Sequence, residues 1–364
     1  MYNDHFLNKK LAERKQENAF RQLRLPGNKI DFCSNDYLGI VKHNLLTAAA
    51  KDKLALGSTG SRLLTGNYPL IETVENEIAA FHQSQTALMF NSGFDANMGV
   101  LSSIPQRGDT IIYDSLCHAS IRDGIRLSFA QSYAFAHNDL NDLEKKLQNY
   151  QANIFVVTES VFSMDGDICP LQGIVALCKK YNAHLIIDEA HATGVIGEQG
   201  EGLVQQLQLQ NEIFCRIHTF GKACGYHGAA VLCSPRLRDY LINFARVFIY
   251  STSLPEHAVA TIQSSYKIFP FMAEERSHLQ LLISMFQESV ISYEKLDAET
   301  PIQGVIVPGN EQAKALAEKL QQNGLDVRPI LSPTIAKGKE RLRIVLHAFN
   351  TKEELQLLID TLNK

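Results

Sequence analysis

A lysine enclosed by small residues is the chain's first chemically suggestive feature. His218-Thr219-Phe220-Gly221-Lys222-Ala223-Cys224-Gly225 leads into the apolar run Ala229 to Cys233. Lys222 therefore belongs in a tight loop beside a buried strand, not on a solvated surface. A lysine desolvated in this way loses proton affinity, and its free amine becomes a nucleophile toward a carbonyl carbon.

Such an amine is most often used with pyridoxal phosphate, which also needs an acid on its ring nitrogen and backbone donors at its phosphate. The acid is found at Asp188-Glu189-Ala190-His191, directly after the apolar run His184 to Ile187. A carboxylate placed there is costly without a cationic partner, and a protonated pyridine nitrogen is one. His191 falls within reach of the same ring, and His118, after another strand, offers a flat imidazole that can stack on it. The phosphate is expected where Ala87 to Phe90 turns through Asn91-Ser92-Gly93-Phe94 into a helix, because free N–H groups and the helix dipole face an anion there. No Gly-x-Gly-x-x-Gly follows a strand, so the turn is not a dinucleotide fingerprint.

These residues need a scaffold, and the chain reads as α/β. Continuous apolar strands at Ile154–Val157 and His184–Ile187 suit a mostly parallel sheet covered on both faces by helices. In such sheets ligands gather beyond the carboxyl ends of the strands, which is where Asp188 falls. A helix over 69–81 is predicted from Ile71, Val74, Ile78 and Phe81, and another begins at Ser234-Pro235 with Leu237, Leu241, Phe244 and Phe248 on one face. Three divisions are expected: an N-terminal segment over 1–45, with an amphipathic helix at 5–25 ended by Pro26-Gly27; a large domain over 46–255; and a smaller α+β domain over 256–364. The last contains a helical stretch near 272–295, a strand near 302–307, a helix capped by Asn310, a strand over 341–346 and a final helix opened by the capping box Thr351/Glu354. Arg343 on the 341–346 strand could hold a carboxylate through two hydrogen bonds.

The 364 residues carry a net charge of −4 with no basic stripe, which argues against nucleic acid or an anionic membrane as partner. Seven cysteines include no Cys-x-x-Cys, and Cys215, Cys224 and Cys233 match no zinc spacing. No apolar run approaches the roughly 20 residues needed to span a bilayer. Met1–Leu25 lacks a signal-peptide core, so a cytoplasmic location is expected.

Taken together and in order, Gly60-Ser61-Arg62, Thr65-Gly66-Asn67, Asn91-Ser92-Gly93-Phe94, Ser163-Met164-Asp165-Gly166-Asp167, Asp188 to Gly194 and Thr219-Phe220-Gly221-Lys222 resemble the α-oxoamine synthases, which are pyridoxal phosphate enzymes of fold type I. The resemblance implies a decarboxylative, Claisen-type condensation of an amino acid with an acyl thioester. His191-Ala192-Thr193-Gly194, Phe135-Ala136-His137-Asn138-Asp139 and Gly197-Glu198-Gln199-Gly200 are more similar to the members that join L-alanine to a pimeloyl thioester. It further implies that Lys222 bonds the cofactor aldehyde, Asp188 holds the ring nitrogen, His118 stacks, and His191 and Ser163 bond the phenolic oxygen. Gly93, Phe94 and Thr219 hold the phosphate, while Arg21, Asn35, Thr334 and Arg343 contact substrate. A homodimer is implied, in which the loop near Gly60 and Thr252 reach the neighbouring site. The acyl carrier, coenzyme A or acyl carrier protein, stays open.

The nearest rival is a sibling that uses glycine, such as a glycine C-acetyltransferase. A non-catalytic subunit of the same fold has no need of Lys222, and a nicotinamide dehydrogenase lacks its glycine fingerprint here.

Overall fold

The computed structural model describes residues 2–25, 27–46, 54–150 and 152–364. Two compact units emerge, one of residues 36–163 and 168–276, the other of residues 1–35, 164–167 and 277–364. Pro26, at the expected end of the first helix, and residue 53 with the six before it, at the start of the expected large domain, lie outside the described residues.

The larger unit is built on seven strands: Thr86–Phe90 (β1), Thr110–Asp114 (β2), Gln131–Phe135 (β3), Ile154–Glu159 (β4), His184–Asp188 (β5), Cys215–Thr219 (β6) and Ala229–Cys233 (β7). Their order is β1-β7-β6-β5-β4-β2-β3, and β7 alone runs against its neighbours. All six residues of β4 are buried, as a strand covered on both faces requires. Helices Pro69–Phe81 (α1), Gly93–Ser103 (α2) and Ala119–Leu127 (α3) follow or precede the strands that carry the chemistry. The core joins Leu88, Val100, Ile121, Phe155, Ile186, Ile217 and Val231 from these elements.

β3 and α3 are absent from the sequence reading. Four of the five residues of β3 are exposed, so an edge strand shows no apolar run. The helix placed at Ser234-Pro235 ends at Phe244, which is exposed, and Phe248 belongs to a separate turn. The boundary expected at 255 moves. Helix Glu256–Tyr266 belongs to the larger unit, where Gln263 Nε2 donates to Glu77 Oε1 at 2.9 Å and Ser265 Oγ donates to the Cys224 carbonyl at 2.7 Å.

The smaller unit has strands Ile302–Ile306 (β8), Arg328–Ile330 (β9) and Arg341–Val345 (β10), antiparallel in the order β9-β10-β8. Ile30–Asp31 pairs in parallel with Leu325–Asp326, and the Thr351/Glu354 capping box is formed. The expected helix over 5–25 is only a turn at His5–Leu7 and a helix at Asn8–Gln16, with no buried side chain. Asn18, at φ 51°, breaks it. Asn310 is not a cap. Gly309, at φ 97°, takes that position, and the Asn310 amide instead bonds Glu17 and Ser332. Among the described residues no helix is long and apolar enough to cross a membrane.

Candidate active site

The parallel strands of the larger unit end in polar residues, and those ends build the site. β5 delivers Asp188, which is buried. Its Oδ1 accepts the Ala190 N–H at 2.8 Å and its Oδ2 accepts Asn97 Nδ2 at 2.7 Å. Each oxygen keeps a lone pair for a cationic partner. Glu159 ends β4 in register with Asp188, and its carboxylate accepts the His118 N–H. Burial, and after it the negative Asp188 beside it, push the Glu159 carboxyl up to about 8.

His118 caps α3. Its Nδ1 lies 2.8 Å from Ser120 Oγ and accepts the Ser120 N–H at 3.2 Å. The ring keeps a solvent-accessible face. Burial of the remainder is the main cause that lowers its proton affinity, Asp188 opposes the shift, and Lys222 adds to it. The fields of Lys222 on both His118 and Glu159 place the lysine with this cluster.

His191 is buried, with Nδ1 at 2.6 Å from the phenol oxygen of Tyr37. Beyond β1, α2 starts at Gly93 with Ser92 as its cap. A Cβ on Gly93 would come within 3.3 Å of Thr219 Oγ1, so the two expected phosphate residues adjoin, and Gly93 leaves the backbone N–H groups approachable. Phe94, the next residue, is exposed. The Thr252 carbonyl accepts Asn91 Nδ2 at 2.9 Å, which sets Thr252 against the same turn. Ser163 is half-buried in the turn after β4.

The expected substrate residues lie in the smaller unit and form two pairs. Arg343 Nη2 donates to Asn35 Oδ1 at 3.0 Å, and Arg21 Nη2 donates to Thr334 Oγ1 at 3.0 Å.

A pyridoxal phosphate fits the larger unit's residues. They provide a buried carboxylate with free lone pairs, a lysine, an accessible imidazole and a helix N-terminus with a glycine where a side chain would crowd Thr219. Tyr37, Asn97, Ser120 and Glu159 were missed from the sequence. Asn97 lies four residues past Gly93 and so on the face of α2 that starts there.

The aminotransferase class I and II family model matches residues 27–362. The 8-amino-7-oxononanoate synthase of Emericella nidulans is 40% identical, over 98% of this chain and 94% of that protein. The 8-amino-7-oxononanoate synthase 2 of Bacillus subtilis is 38% identical, over 98% and 96%. Among solved structures, the serine palmitoyltransferase of Sphingomonas wittichii superposes with a TM-score of 0.87 at 29% identity, covering 99% of this chain and 96% of that one. The 8-amino-7-oxononanoate synthase from Francisella tularensis gives 0.79 at 30% identity, covering 92% and 97%. The chain belongs to the aminotransferase class I and II family of pyridoxal phosphate enzymes, and within it to the group whose members are named 8-amino-7-oxononanoate synthase.

Proposed function

We infer that the protein is a pyridoxal phosphate-dependent acyltransferase of biotin biosynthesis. It joins L-alanine to a pimeloyl thioester and yields 8-amino-7-oxononanoate. The observation that carries this reading is the cluster of Lys222, Asp188 and His118 at the strand ends of a chain 40% identical to a synthase of that name.

When bound, the cofactor supplies an electron sink for negative charge at the amino acid's Cα. Lys222 would hold the aldehyde and carry the Cα proton away and back. Asp188 would keep the ring nitrogen protonated, His118 would lie against the ring, and His191 and Ser163 would bond the phenolic oxygen. Gly93, Phe94 and Thr219 would hold the phosphate, joined by Thr252 of a second copy in a homodimer whose Gly60 loops face the same way. Arg343, oriented by Asn35, takes a substrate carboxylate through its planar fork. Arg21 and Thr334 take the acyl substrate, carried by coenzyme A or by acyl carrier protein. Overall, the alanine Cα bonds to the thioester carbonyl carbon as the thiol leaves, the alanine carboxylate departs as carbon dioxide, and one proton returns to Cα. The location is cytoplasmic.

The test is the visible spectrum of the purified protein with L-alanine, glycine and L-serine in turn, serine because several solved neighbours are serine palmitoyltransferases. Pimeloyl-CoA is then added and the product weighed by mass spectrometry. A response strongest to alanine, with an amino ketone of the expected mass, supports the reading. A preference for glycine or serine moves the protein to a sibling activity, and a chain that binds no pyridoxal phosphate overturns it.

A further inference from the structure

Two helices of the larger unit approach closely behind His118. Gly124 of α3 makes this possible, since a Cβ there would lie 2.9 Å from Leu101 Cβ and 3.1 Å from the Asn97 carbonyl on α2. The approach brings the buried Asn97 amide between Asp188 and Ser120. Asn97 Nδ2 donates to Asp188 Oδ2 at 2.7 Å and to Ser120 Oγ at 3.1 Å.

The direction of each hydrogen bond follows from the one before. A carboxylate only accepts, so Asp188 fixes which end of the amide faces it. The amide's second N–H then occupies a lone pair of Ser120 Oγ, and the hydroxyl proton is left to point at His118 Nδ1, 2.8 Å away. The Ser120 backbone N–H also donates to Nδ1, at 3.2 Å. With two donors aimed at it, Nδ1 must be unprotonated, and the ring's proton is on Nε2.

The cost of this arrangement argues that it is there for its donors. Asn97 Oδ1 is buried and has no hydrogen-bond partner among the described residues. A buried amide satisfied on only one side is a poorer core residue than an apolar one of the same size. We propose that Asn97 is a positioning residue, which ties the Asp188 carboxylate to His118 through Ser120 and holds His118 as the neutral Nε2–H tautomer. His118 then meets cofactor and amino acid with a donor of fixed placement. The proposal rests on the function inferred above only for that last consequence.

The groups that face His118 are Asp188 on β5, Glu159 on β4, Asp123 on α3 and Lys222 after β6. None of them supplies Nδ1 with a hydrogen bond, so the tautomer depends on Asn97 and Ser120.

The test is a long-range 1H–15N correlation spectrum of the full-length, cofactor-loaded protein labelled at its histidines, with His118 assigned by His118→Gln. Nitrogen shifts distinguish the two tautomers and give the titration midpoint without any reference to turnover. In the wild type, His118 is expected as a single Nε2–H form. In Asn97→Leu the Ser120 hydroxyl is freed to accept from a protonated Nδ1, so tautomers mix and the midpoint rises by about half a pH unit or more. Ser120→Ala leaves only the longer backbone donor and gives a smaller change in the same direction. This variant alone decides the matter if Asn97→Leu does not fold. An unchanged tautomer and midpoint in folded Ser120→Ala overturn the proposal even if the protein makes the expected amino ketone. A shifted tautomer in a protein that does not make it leaves the network standing and removes the function.

Discussion

The phenol oxygen of Tyr37 and Nδ1 of His191 lie 2.6 Å apart between two buried rings. One imidazole edge is thereby fixed by a residue 154 positions earlier in the chain. Tyr37→Phe removes the bond and keeps the ring. It should fold with a stability loss of about 1–3 kcal/mol, because the buried His191 Nδ1 loses the Tyr37 hydroxyl. If His191 bonds the cofactor's phenolic oxygen, the visible band of the bound cofactor should also shift. A folded Tyr37→Phe with an unaltered spectrum would remove His191 from that role.

Lys222→Ala should abolish the covalently held chromophore and lower condensation by at least about 10²–10⁴-fold, the range ascribed to a positioned acid–base group. Lys222→Arg tests whether charge alone suffices, since a guanidinium does not deprotonate in proteins. It is expected to bind the cofactor without bonding it and to be as inactive as the alanine variant. Substantial turnover by either variant sinks the assignment.

Glu159 makes the cofactor-free protein less stable as pH rises. In the fold its carboxyl keeps a proton up to about 8, against 4.5 for an ordinary glutamate. Between those values the folded chain binds more protons than the unfolded one, so stability falls with increasing pH. Glu189, which burial pushes up to about 7, acts in the same direction over the lower part of that window. Urea midpoints at about pH 5 and pH 8 should therefore drop in the wild type and drop less in Glu159→Gln, whose amide oxygen still accepts the His118 N–H. Equal slopes in the two proteins would mean that Glu159 is ionised throughout.

The parts legible in the sequence are those with local causes. Asp188 stood out because a carboxylate follows a buried strand, and Lys222 because small residues enclose it. The Thr351/Glu354 box is a three-residue spacing that forms as read. Tyr37 and Ser120 carry no local sign, since a tyrosine in a loop or a serine in a helix is ordinary until the fold brings it to a histidine, whereas Glu159, at the end of the apolar run Ile154 to Val157, carries the same sign as Asp188 and was passed over. The helix expected over 5–25 failed for a related reason. Apolar spacing is present, but Leu7 and Leu11 are exposed and Asn18 takes a left-handed conformation, so no burial carries the helix beyond Gln16.

Glu75 illustrates the long-range case most sharply, and it supports the loop that the family resemblance turns toward a second copy. Its carboxylate accepts Arg62 Nη1 at 2.7 Å and Nη2 at 3.2 Å, Arg238 Nη2 at 3.3 Å and the Met89 N–H at 2.8 Å. The Glu75 and Arg62 side chains are only 3% and 8% exposed, so solvent screens the pair little. Glu75→Ala strands a buried guanidinium and should cost about 3–5 kcal/mol in urea unfolding. Replacing both partners with apolar groups, Glu75→Leu with Arg62→Met, removes the more buried of the stranded guanidiniums and should recover part of that loss, while Arg238 and the Met89 N–H still lose their acceptor. The glycine-rich loop tells the two explanations apart. Arg62 lies within it, its Nε donates to Asn67 Oδ1 at 2.7 Å, and the Gly60 carbonyl accepts the Ser253 N–H at 3.0 Å. If the ion pair shapes this loop for a second copy, sedimentation of the double variant should show weaker self-association despite its partly recovered stability. A double variant as tightly associated as the wild type would confine Glu75 to holding the core.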